Sequence, residues 1–363
     1  MPSFSHPGAF ARDIRLKGLK HLRDQPGGRY ASAGQWGAAA AWGSGLLVSL
    51  GLLFSSAGPI GFLWCATSGL MAFFILATLC HDAAHGSLSS NAWVNRVVLT
   101  VGFGLFGVSG ALWRWRHIRL HHVFPNVEGT DIDGEGSILL RLAPYGPWRS
   151  WHRLQAFYAP FLYVLVMPHL AWVEDWSNRA MARRMAPEHF RTRAATAEFL
   201  LVKLVHGGVA LGLPWLVLQP PLWALGLGYL IFTGVASILF VVIVAGSHLS
   251  EEAEFISPSG DRIHHDWAEH QLRTCLDWSP ESRTAGMLSG GSNAHTAHHL
   301  FPQAAHCHNP ALSAIVSEAA AHHGLPHNVT SFAGLVASHV RHLHHLGRRP
   351  LRTFSAQPKE TLK

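Results

Sequence analysis

Residues 31–80 read ASAGQWGAAAAWGSGLLVSLGLLFSSAGPIGFLWCATSGLMAFFILATLC, without a single Lys, Arg, Asp, Glu or His. A helix that crosses a bilayer needs about 20 mostly apolar residues, so this run holds two of them and a tight turn. Ser55-Ser56-Ala57-Gly58-Pro59 supplies the turn. A second run, Leu204 to Ser250, again lacks Lys, Arg, Asp and Glu, contains only His206 and His248 as ionisable groups apart from the aromatic hydroxyls, and turns at Gln219-Pro220-Pro221. With 48% hydrophobic and 13% charged residues the composition points the same way. The expected fold is an all-α integral membrane protein whose four transmembrane helices form two hairpins, about 34–80 and 200–247.

The excess of positive charge, +7 overall, follows that topology. Arg12, Arg15, Lys17, Lys20, Arg23 and Arg29 precede the first hairpin, and Arg114, Arg116, Arg119, Arg141, Arg149 and Arg153 follow it. Arg179, Arg183, Arg184, Arg191 and Arg193 precede the second, while both turns are uncharged. The positive-inside rule puts both termini and the central region in the cytoplasm. Basic patches interleaved with aromatics are missing, which sets nucleic-acid binding aside. No cleavable leader is expected, because the basic N-terminal segment, 1–33, lacks a short apolar core and a small-residue cleavage site. Cys65, Cys80, Cys275 and Cys307 are scattered and form no C-x-x-C pair, so reduced thiols are expected.

Three histidine clusters carry the chemistry: His81-Asp-Ala-Ala-His85, His117-Ile-Arg-Leu-His121-His122 and His295-Thr-Ala-His298-His299. Imidazoles three or four residues apart share one face of a helix and can converge. They exceed what a single zinc takes, so the number of ligands argues for two ions, while imidazole alone does not name the metal. Asp82, not Glu, follows the first His, against the zinc-protease pattern. No Glu stands in the clusters, against a carboxylate-bridged di-iron bundle.

If the clusters meet, neither of two further apolar stretches, Val97–Trp113 and Leu154–Val173, can cross the membrane alone. Both are read as interfacial or re-entrant helices. Residues 34–363 then form one domain, with 81–199 and 248–363 as a cytoplasmic cap. His81 and His85 stand at the exit of the second spanning helix and His248 at the exit of the fourth. Asp82, Asn126, Asp131, Asp133 and Asn293 are expected as loop-forming groups or partners of ligating rings. His264, His265 and His270 are expected in supporting or surface roles, and His169 and His206 in packing or interfacial ones. His339-Val-Arg-His342-Leu-His344-His345 is read as the solvated face of a closing helix.

The pattern resembles the membrane fatty acid desaturase family, in particular its acyl-lipid and acyl-CoA branch. The match runs through His81-Asp-Ala-Ala-His85-Gly, then Trp115-Arg-His117 to His121-His122-Val-Phe-Pro125-Asn126 with Gly129, Asp131 and Asp133. It continues in Gly290-Gly-Ser-Asn293-Ala-His295 to His299-Leu-Phe-Pro302, with Trp267, Gln271 and Thr274 before it. The resemblance implies a non-haem di-iron centre, O2 as co-substrate, two reducing electrons and an acyl chain dehydrogenated to an alkene. It also supports His248 as a ninth ligand outside the boxes, although Val244 stands one turn back where the family's Asn partner is expected. Related hydroxylase, epoxidase or acetylenase chemistry uses the same oxidant, and a non-enzymatic membrane metal-binding protein is the remote alternative.

Front-end members usually carry Gln at the first position of the last box, where this chain has His295, and many carry a fused b-type cytochrome. His6-Pro7-Gly8-Ala9 only mimics the haem motif of that module. With no cytochrome, nicotinamide or flavin fingerprint and no cysteine set for an iron–sulfur cluster, electrons are expected from an external ferredoxin-like or b-type cytochrome donor. The substrate is expected to be a fatty acyl chain on lipid, CoA or carrier protein, met at the membrane lipid.

Overall fold

The computed structural model describes residues 1–56, 58–131, 136–258, 260 and 262–348. Four of its helices are long and apolar enough to cross a membrane: Ala33–Ser55, Ile60–His85, Arg193–Leu218 and Leu222–Ser247. They coincide with the two expected hairpins. Ser32 caps the first, its hydroxyl accepting from the Gln35 amide at 3.3 Å. Pro221 precedes the fourth, where a missing N–H costs nothing. Leu47, Leu63, Leu204, Leu216 and Trp223 lie exposed on these spans, as lipid-facing side chains do.

The second span is the hub, packed against the first and the fourth. Its Ser68 hydroxyl meets that of Ser49 at 2.9 Å. At Gly69 a Cβ would lie 2.2 Å from the carbonyl oxygen of Phe232, so only glycine lets the fourth span come this close.

Neither additional apolar stretch forms a straight span. Val97–Trp113 is divided between two short helices, Ala92–Gly104 and Gly110–Arg116. Leu154–Val173 lies in a helix pair, Ser150–Tyr163 and Val166–Met185, bent by 75°.

The first and third clusters lie on α-helices as expected, His81–His85 and His295–Leu300, but the structure corrects the helical reading of the second. His117–His121 is a π turn, with the His122 amide donating to the His117 carbonyl at 2.9 Å. Two more π turns stand just before histidines of interest, Leu76–Cys80 ahead of His81 and Phe240–Val244 ahead of His248. Such widened turns re-aim side chains and concentrate at functional sites.

A second correction concerns the closing helix, Phe332–Gly347. His344 and His345 are exposed as expected, but His339 and His342 are buried. Their ring nitrogens are bonded to the backbone carbonyls of Leu249 and Leu142. Basic neighbours in the sequence concealed an amphipathic helix whose histidines face inward.

Candidate metal centre

Burial and convergence define the site. The second span delivers His81 and His85, the π turn delivers His117, His121 and His122, the end of the fourth span delivers His248, and the helix His295–Leu300 delivers the rest. The rings sort into two groups. His81, His85, His117, His122 and His298 form one, and His121, His248, His295 and His299 the other. Within each group one ligand atom per residue lies within 4.8 Å of all the others. The π turn explains the split: it sends His117 and His122 to one group and the intervening His121 to the other. His122 stacks on His299 at 4.2 Å between centroids, so the groups are adjacent.

The nitrogen spacing tests the fit to metal. His117 Nε2 lies 3.1 Å from His81 Nε2, 3.1 Å from His85 Nε2 and 2.9 Å from His122 Nε2. One imidazole nitrogen carries either one proton or one lone pair, so it cannot satisfy three such neighbours by hydrogen bonding. Two nitrogens bound to a metal at about 2.1 Å and roughly 90° apart are about 3 Å from each other. The same spacing recurs in the second group, where His248 Nε2 is 2.8 Å from His295 Nε2 and 3.1 Å from His299 Nε2. Both donor sets fit cations.

Neighbouring groups set the tautomers. His248 Nδ1 donates to the Thr274 carbonyl at 2.9 Å, and His299 Nδ1 donates to Gln271 Oε1 at 2.9 Å. Each leaves Nε2 free to point inward with its lone pair. Asp131 faces His121 Nδ1 at 3.5 Å. Gln271 and Thr274 were visible in the sequence only as part of a motif; nothing in their spacing revealed these partners.

Other polar groups do different work. Asp82 accepts from Gln35 Nε2 at 2.7 Å and from His306 Nδ1 at 2.9 Å. Asn126 Nδ2 donates to the His248 carbonyl at 3.0 Å, and Asn293 Nδ2 donates to the Ser279 carbonyl at 3.0 Å. These bonds hold backbone and loops around the rings. Asp133 lies outside the described residues. His264 is exposed, and His270 bonds His265 and the Pro125 carbonyl. His206 contacts the Tyr229 hydroxyl, and His169 is exposed.

Burial holds His117, His122, His295, His298 and His299 well below the usual imidazole range, and takes His248 down to about 3. Crowding by neighbouring rings adds to the effect, so the rings are neutral at neutral pH and ready to ligate. In the unfolded chain the same groups titrate near 6.5. Below that pH the unfolded state binds more protons than the folded one, so stability falls with falling pH. The metal-free chain in detergent is expected to melt at a steady temperature above about pH 7 and progressively lower below about pH 6.5. A melting temperature unchanged down to about pH 5 contradicts this protonation pattern.

An apolar cavity abuts the first group. Phe73, Leu76, Ala77 and His81 of the second span line it, with Phe103, Phe106, Val108 and Trp113 opposite and Phe240 and Val244 from the fourth span. Trp113 stacks on His117 at 4.2 Å, so one wall of the cavity is also a wall of the metal group.

The fold and site define a class: an apolar helix bundle with two largely buried histidine groups that could each hold a metal ion, one of them beside an apolar cavity. The family model for fatty acid desaturases matches residues 54–331, and the chain belongs to that family. It is 30% identical over 284 residues to the sn-1 linoleoyl-lipid 6-desaturase of Arthrospira platensis, covering 76% of each chain. It is 28% identical over 299 residues to the protein of the same name from Synechocystis sp., covering 80% of this chain and 81% of the relative. The acyl-lipid (8-3)-desaturase of Physcomitrium patens is 28% identical over 313 residues, 82% of this chain and 63% of its own. The chain is a membrane-bound fatty acyl desaturase, an oxidoreductase that introduces a double bond into an acyl chain.

Proposed function

We propose that the enzyme desaturates an acyl chain carried on a membrane lipid, using two iron ions, one in each histidine group. The observation that carries this reading is the pair of buried imidazole groups at ligand spacing, one of them open to the apolar cavity. His81, His85, His117, His122 and His298 would hold one iron, and His121, His248, His295 and His299 the other. Iron held by these rings supplies the one-electron chemistry by which oxygen oxidises an unactivated carbon chain. The lipid carrier is supported by the names of the relatives, which act on acyl lipids.

The protein's own part is placement. The cavity walls shed water from an acyl chain and bring its methylenes to the His81 and Trp113 end. Both carbons of one CH2–CH2 unit lose a hydrogen there, and with two electrons and two protons from outside, oxygen leaves as two waters. The neutral rings keep the site cationic once loaded, with Thr274, Gln271 and Asp131 fixing their orientation. Expression in a host of defined lipid composition should yield acyl chains lighter by two hydrogens. Mainly hydroxylated product overturns the assignment of outcome.

The electrons come from a separate acidic carrier, ferredoxin-like or a b-type cytochrome, on the cytoplasmic face, where the active site and both termini lie. Support comes from the basic segments flanking both hairpins and from the exposed Arg114 and Arg119 around the second box. Turnover with a ferredoxin or cytochrome partner should fall steeply with rising salt. Full turnover by the purified chain with a nicotinamide cofactor alone contradicts the need for a carrier.

A further inference from the structure

The closing helix, Phe332–Gly347, begins where the family match ends, at residue 331. It reaches directly to the backbone beside His248. His339 Nδ1 donates to the Leu249 carbonyl at 2.7 Å, and the Tyr163 hydroxyl donates to His339 Nε2 at 2.7 Å. Both side chains are buried. Ser338 Oγ, one residue back, accepts from the Glu251 amide at 3.0 Å. On its far side the helix is tied to the bent pair: Gln155 Nε2 donates to the Leu343 carbonyl at 2.8 Å. Arg141 Nη1 donates to the Leu346 carbonyl at 3.0 Å.

His248 has no box around it and no helix directly after it. The fourth span ends in a single 3-10 turn, Ala245–Ser247, and among the described residues no helix or named strand follows before Trp267. A ligand on such an end keeps its aim only if the backbone after it is held. The Asn126 amide grips the carbonyl of His248 itself, and His339 grips the next one.

We propose that His339 is a positioning residue for the second metal group. By fixing the Leu249 carbonyl it sets the direction of His248, and Tyr163 fixes the tautomer by which it does so. This rests on the reading that His121, His248, His295 and His299 hold an ion. His339 itself contacts no metal and no substrate. A packing role alone would respond to volume; this role depends on one donor at one atom.

Bond counting separates the two. Asparagine carries its amide nitrogen as many bonds from Cα as Nδ1 of histidine, and glutamine carries its own as far as Nε2. The test is titration of the full-length chain in detergent with ferrous iron alone, without oxygen, against a competing chelator. The parent should show two binding events, and His295→Ala should lose one of them. His339→Ala and His339→Gln should weaken that same event by about 10- to 100-fold, the effect of removing an orienting partner, and leave the other unchanged. His339→Asn should restore it. An alanine variant that binds both ions like the parent overturns the inference, and so does an asparagine variant as weak as the alanine one. If the alanine variant does not fold, the glutamine and asparagine variants decide by the same criterion. A parent without two events overturns the two-metal reading, and the inference with it.

Discussion

His248→Ala is expected to lose one of two metal ions and essentially all turnover, while His345→Ala keeps both. The contrast is useful because neither residue belongs to a box. His248 is buried with Nε2 2.8 Å from that of His295; His345 is exposed on the closing helix. Loss of an orienting partner already costs about 10- to 100-fold in metal affinity, so loss of a ligand should cost more than about 100-fold. Because metal binding is coupled to folding, the melting temperature of the metal-loaded His248→Ala protein should also fall. Two ions and normal turnover in His248→Ala would remove His248 from the centre.

Gly290→Ala is expected to be nearly as damaging, although no ligand changes. Gly290 has φ of 62°, and a Cβ there would lie 1.9 Å from the Ala77 carbonyl oxygen of the second span. Left-handed backbone without glycine costs about 1–3 kcal/mol, and the clash with another backbone adds to it. The loop that leads into His295 must then lift off the span that carries His81 and His85. The first histidine group draws rings from both sides of this contact, since His298 joins His81 and His85. Gly324→Ala is the control. Its φ is 65°, but nothing lies within 4 Å of its Cβ position, so only the backbone cost of about 1–3 kcal/mol applies and metal binding should survive. Equal losses in the two variants would show that the contact at Ala77 does not matter.

Much of this architecture is legible in the sequence, and what is not has physical reasons. The spans follow from the missing charges of residues 31–80, because bilayer length and backbone hydrogen bonding leave few alternatives. The histidines announce themselves because imidazoles at helical spacing serve no ordinary purpose inside an apolar chain. The sorting of rings into two groups is hidden. It depends on a π turn at His117–His121, and a one-residue widening leaves no trace in composition or periodicity. Orienting partners are equally hidden. Thr274 acts through its carbonyl, which every residue has, whereas the acidic Asp82 holds Gln35 and His306 instead. His339 and His342 were obscured by Arg341 and the exposed His344 and His345, whose polarity suggests solvent until the helix is seen in place.

The most direct test is mass spectrometry of acyl lipids from a host that makes only defined saturated or mono-unsaturated chains, expressing the parent or His117→Ala. His117 Nε2 sits among three other ring nitrogens in the group beside the cavity. The parent should produce lipid-bound chains lighter by two hydrogens, with a new double bond, and the His117→Ala variant should produce none at equal expression. Equal amounts of the new alkene from both proteins, or parent product heavier by one oxygen, would contradict desaturation at this histidine centre.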